Sequence, residues 1–74
     1  MNIKWNDYIE SNVNILHGKP CIKNTRIPVS LILGYLAAQY SKDEIIKEFP
    51  DLRNEHISAC LDYARELADF EIAI

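Results

Sequence analysis

The stretch Ser41-Lys42-Asp43-Glu44-Ile45-Ile46-Lys47-Glu48-Phe49-Pro50-Asp51-Leu52-Arg53-Asn54 decides how this chain folds. Its first four residues form a capping box. The Ser41 hydroxyl can accept the Glu44 amide while the Glu44 carboxylate reaches back to the Ser41 amide, and Tyr40 and Ile45 fit the accompanying hydrophobic staple. A helix therefore begins at Lys42 and buries Ile45, Ile46 and Phe49. It stops at Pro50, because a proline disfavours α geometry in the residue before it. Leu52 reads as an apolar plug holding a bend, and Asn54 as the cap of the next helix.

Downstream, Ile57, Cys60, Leu61, Ala64, Leu67 and Ala68 form one apolar stripe at helical spacing. Upstream, Val29, Ile32, Leu33, Leu36, Ala37 and Tyr40 repeat at three- and four-residue steps, the face of another amphipathic helix. Three helices of about 11, 8 and 17 residues joined by tight turns outline a helix-turn-helix type domain, the second and third being the motif pair. A trihelical bundle with no nucleic-acid role uses the same packing, and both readings stay open.

Ahead of the helices, Tyr8-Ile9-Glu10 alternates weakly, Ser11-Asn12-Val13-Asn14 is a polar turn, and Ile15-Leu16 and Cys21-Ile22 are short extended candidates. His17 to Val29 combines turn signals at Gly18-Lys19-Pro20 and Asn24-Thr25 with three cations, and Pro28 fixes φ just before the first helix. The expected architecture is one mainly α domain over 1–74, with a β-hairpin arm at 1–28 and a three-helix bundle at 29–74.

A 74-residue core supplies only about 3–5 kcal/mol net, so a homodimer is a natural supplement. The most apolar run, Ile32 to Ala38, is too short to span a bilayer, and no secretory leader opens the chain; a cytoplasmic protein that leaves membranes alone is expected. Cys21 and Cys60 are expected to be free buried thiols. Charge is divided unevenly: residues 1–41 carry four Lys/Arg against Asp7 and Glu10, while residues 42–74 carry four against nine carboxylates. The second half should repel a phosphate backbone and attract a basic partner.

The strings Gly18-Lys19-Pro20-Cys21-Ile22-Lys23-Asn24-Thr25-Arg26-Ile27-Pro28-Val29, Ser41-Lys42-Asp43-Glu44-Ile45-Ile46, Phe49-Pro50-Asp51-Leu52 and Ile57-Ser58-Ala59-Cys60-Leu61-Asp62-Tyr63-Ala64 resemble the family called domain of unknown function 433. The resemblance runs from about Tyr8 to about Arg65. It implies a small trihelical, homeodomain-like fold with an N-terminal β element. It also implies a prokaryotic protein often encoded beside a PIN-like ribonuclease toxin, the setting of VapB-type antitoxins. Cys21 and Cys60 depart from the small apolar residues usual at those places, and the extension after Ala64 is brief.

Lys19, Lys23 and Arg26, with His17 nearby, form the local cationic cluster, able to meet phosphates or a partner's carboxylates. Arg26 has a competing structural reading, pinned to backbone carbonyls within the turn. The third helix would present Asn54, Glu55, Ser58, Ala59 and Asp62 outward, a poor surface for a major groove because its charges are acidic. His17/Cys21 and His56/Cys60 share an i, i+4 spacing that could close a zinc site, yet Cys60 belongs to the apolar stripe and is oriented by packing.

No phosphate loop or nucleophile set supports catalysis, and no cofactor is expected. Leu67, Phe70, Ile72 and Ile74 are more apolar than a free tail should be, so they are expected to meet a toxin or a second copy. The functional expectation is a non-enzymatic antitoxin that neutralises a PIN-like ribonuclease. The alternative is a dimeric helix-turn-helix regulator that binds operator DNA, and the two roles can coexist.

Overall fold

Ser41 caps its helix as its sequence requires. In the structure, a computed structural model describing residues 4–71, the Glu44 amide donates to Ser41 Oγ at 3.1 Å and the Ser41 amide to Glu44 Oε1 at 2.8 Å. Such caps contribute about 1 kcal/mol. They open α2 (Lys42–Glu48), which ends where Phe49 leaves α geometry ahead of Pro50, at φ −125° and ψ 79°. Leu52 then turns inward and is almost fully buried, and α3 (Asn54–Glu71) begins two residues later.

The first helix, α1 (Val29–Ala37), starts directly after Pro28 and is shorter than its apolar periodicity indicates. Its end explains why. Gln39 takes a left-handed φ of 76°, its N–H donates to the Leu36 carbonyl at 3.0 Å, and the Tyr40 N–H donates to the Tyr35 carbonyl at 3.1 Å. This is a Schellman stop with glutamine where glycine is usual, closed by an edge-on contact of the Tyr35 and Tyr40 rings at 4.9 Å. Tyr40, which precedes the cap of α2, thus also closes α1.

The N-terminal β element is an antiparallel pair, β1 (Ile9–Glu10) and β2 (Cys21–Ile22), with Ile9 opposite Ile22 and Glu10 opposite Cys21. Ile15-Leu16 does not join it. Asn12 Oδ1 accepts the Asn14 amide at 2.8 Å, and Leu16, His17 and Gly18 all lie at positive φ, so the chain coils through a tight turn instead of extending. After β2 the chain doubles back: the Ile22 amide donates to the Ile27 carbonyl and the Val29 amide to the Pro20 carbonyl, both at 3.0 Å. The expected hairpin over the cationic stretch is present in this form.

One core joins all these pieces, built from Ile9, Ile22, Val29, Ile32, Ile45, Leu52, Ile57, Ala59 and Cys60. Two features of α3 differ from the expected stripe. Ala59, assigned to the outer face, is fully buried, whereas Leu61, assigned to the stripe, is 44% exposed. The buried arc extends to a side the stripe leaves out, because Tyr8 sets its ring edge-on to His56 at 5.5 Å and Trp5 does the same to Tyr63 at 4.8 Å. Ala59 lies between those two positions on the helix. At about 27 Å, α3 is also about twice as long as α1, and Leu67 in its second half is 52% exposed.

Candidate functional site

The second half of α3 carries an open apolar feature. Tyr63 and Leu67, one helical turn apart, line two adjoining open depressions of about 360 and 310 Å³. The larger runs to Leu33 of α1 and to Lys19-Pro20, and the smaller runs to Trp5 and Glu66. Trp5 is fixed there on two sides, its ring against Tyr63 and its indole N–H donating to Glu66 Oε2 at 3.1 Å. The result is an apolar groove with an ammonium at one end and a carboxylate at the other.

Two sets of expected site residues therefore meet, since Lys19 from the cationic stretch and Leu67 from the tail line the same depression. The side chain of Phe70, and Ile72 and Ile74 entirely, lie outside the described residues. Lys23 is exposed on the turn, while Arg26 lines a separate depression with Glu10, Ile15 and Asn24. Among the described residues, none of the side-chain hydrogen bonds or ion pairs involves Lys19, Lys23 or Arg26. The expected pinning of Arg26 to carbonyls is thus replaced by Thr25, whose hydroxyl donates to the Ile22 carbonyl at 2.7 Å and accepts the Ile27 amide at 3.0 Å.

Neither Trp5 nor Thr25 stands out from sequence reasoning, although each had a signal. Trp5 is the chain's single tryptophan and stands three residues before Tyr8, a spacing that aligns two rings on a 3₁₀ turn such as Trp5–Asp7. Thr25 follows Asn24, which takes the left-handed φ of 64° that a tight turn requires.

The start of α3 is engaged within the fold. The Arg53 amide donates to His56 Nδ1 at 2.9 Å, Lys42 Nζ donates to Ser58 Oγ at 2.9 Å, and Ala59 is buried. Farther along, Arg65 is held by Asp62 and Asp69 at 3.0 and 2.9 Å. Asn54 and Glu55 are the exposed residues of the first turn, so this helix offers little to a base edge. Among the described residues, no group of three His, Cys, Asp or Glu side chains is placed to hold a metal. Cys21 and Cys60 are free and buried, and burial pushes the Cys60 thiol up to about 12. No helix among the described residues is long and apolar enough to cross a membrane.

His56 titrates below its ordinary value of 6.5, first because burial penalises the charged ring and then because Arg53 lies near, with Glu55 opposing. Nδ1 must also stay unprotonated to accept the Arg53 amide. The unfolded chain thus binds the proton more readily, so the stability His56 contributes is present above pH 6.5 and is lost as pH falls through the lower folded value. The thermal midpoint should drop on acidification below pH 6.5, and His56→Gln, which keeps an acceptor but does not titrate, should flatten that drop. Superimposable profiles of the two proteins between pH 6.5 and 5 would exclude this role.

A mainly α domain with three helices, a two-stranded N-terminal sheet and an apolar groove on its longest helix is the class of protein these features define. The family model described as "Protein of unknown function (DUF433)" matches residues 9–64, and the chain belongs to that family. No curated protein and no solved structure matches it at a significant level.

Proposed function

We propose that the chain is the antitoxin of a toxin–antitoxin pair, a non-enzymatic cytoplasmic module that binds and neutralises a PIN-like ribonuclease. The observation that carries this reading is the groove along Tyr63 and Leu67, where an exposed apolar ridge stands on an otherwise acidic helix. An apolar anchor inside a charged rim is the usual make-up of a protein-binding hot spot. An enzyme that cleaves RNA must present basic surface to its substrate, and the nine carboxylates of residues 42–74 complement such a surface. The resemblance to the family called domain of unknown function 433, whose members are often encoded beside a PIN-like ribonuclease, suggests the class of partner.

Titration of the purified chain against the PIN-like ribonuclease encoded beside it tests this directly. A stoichiometric complex and loss of RNA cleavage at micromolar concentration are expected; the absence of both overturns the reading. The second reading, a dimeric regulator on operator DNA, is favoured by the exposed Lys19, Lys23 and Arg26, whose side chains make no hydrogen bond or ion pair among the described residues. It requires operator binding that weakens steeply with salt and that weakens further when all three become alanine.

A further inference from the structure

A third depression, of about 310 Å³, lies on α1 and the turn that ends it, lined by Ser30, Leu31, Gly34, Tyr35, Ala38 and Tyr40. We propose that this face is the contact between two copies of this chain, separate from the groove assigned to the ribonuclease.

Charge selects the occupant. Every residue from Ile27 to Ser41 is uncharged, whereas the chain as a whole carries −3 and its carboxylates are concentrated on α2 and α3. Two copies meeting across the flank of α3 that carries Glu55, Asp62 and Asp69 would set carboxylates against carboxylates, and two meeting across α1 set none. A partner that relied on charge, whether nucleic acid or a basic protein, would find nothing on α1 to read.

The face is also apolar and open. Leu31 and Tyr40 are 42% and 41% exposed, although α1 is the most apolar helix of the fold. Gly34 sits in mid-helix without a positive φ, and apart from its chain neighbours and its own helical backbone no atom lies within 4 Å of the position its Cβ would take. Neither conformation nor packing inside the chain accounts for glycine there, but close approach of a second backbone does. An antiparallel pair of α1 helices crossing at Gly34 is self-complementary, since it sets Leu31 of each copy over the Gly34–Ala38 side of the other. At nine residues α1 is only about 14 Å long, so the contact falls short of the roughly 800 Å² per partner of a standard interface. The dimer should be weak, with a dissociation constant on the order of 10 µM.

Sedimentation equilibrium of the full chain tests the proposal. The wild type should show a reversible monomer–dimer equilibrium, and Leu31→Glu should weaken it at least about tenfold while leaving the fold and ribonuclease inhibition intact. Gly34→Ala gives an opposed pair of readouts: the dilute monomer should melt at a higher temperature because alanine is the better helix former, yet the dimer should weaken because the helices are held apart. A wild type that stays monomeric at about 1 mM overturns the proposal. So does a dimer that both substitutions leave unchanged, or one that Leu67→Glu abolishes instead.

Discussion

Replacing Ile22 with alanine is expected to leave most molecules unfolded at 25 °C. Ile22 is fully buried and ties three parts of the fold together. Its backbone pairs with β1 opposite Ile9, its amide donates to the Ile27 carbonyl, its carbonyl accepts both the amide and the hydroxyl of Thr25, and its side chain lies in the core with Ile32, Ile45 and Ile57. Truncating a buried isoleucine to alanine costs about 2–5 kcal/mol, the transfer of the lost methyl groups plus the cavity left behind. A domain of this length holds about 3–5 kcal/mol in total, so the loss is of the same size as the stability itself. Urea denaturation followed by helical circular dichroism should show a midpoint near zero denaturant. Val13→Ala, at an 82% exposed position, should stay within about 0.5 kcal/mol of the wild type. A wild-type midpoint for Ile22→Ala would mean that the β element is an appendage and not part of the core.

What could be read from sequence was local, and what could not depended on partners distant along the chain. The capping box at Ser41, the stop at Pro50 and the plug at Leu52 each involve residues within a few positions of one another, so their chemistry is visible in the string of letters. Ala59 could not be placed that way. Its burial depends on Trp5 and Tyr8 closing over α3, contacts between opposite ends of the chain that a single-stripe reading of the helix leaves out. Tyr40 shows a different limit: its contact with Tyr35 depends on the left-handed turn at Gln39, which nothing in the string signals because glycine is the usual residue there.

The candidate groove was half legible for the same reason. Leu67 shows in the sequence as an apolar residue with too little to cover it, and Lys19 as an unopposed cation. That they line one depression follows from α3 passing beside Leu33 of α1 and the Lys19-Pro20 turn, a packing of distant segments that no local pattern encodes.

Leu67→Glu should reduce affinity for the ribonuclease by at least about 30-fold, the effect of losing one hot-spot side chain of about 2 kcal/mol. Leu67 lines both depressions, so it is the residue a partner must cover whichever end of the groove it enters. The substitution also places a carboxylate in apolar space next to Glu66, where a bound partner would have to desolvate it. The fold should tolerate the change, because the position is 52% exposed and glutamate matches leucine as a helix former. Leu61→Glu supplies the control: it makes the same chemical change on the same helix at a 44% exposed position that lines neither depression, and it should leave inhibition within about twofold of the wild type. Isothermal titration of the three proteins against the ribonuclease, with thermal midpoints measured alongside, separates a lost contact from a lost fold. If Leu67→Glu binds as tightly as the wild type while Leu61→Glu does not, the partner sits on the other flank of α3 and the groove is not the site.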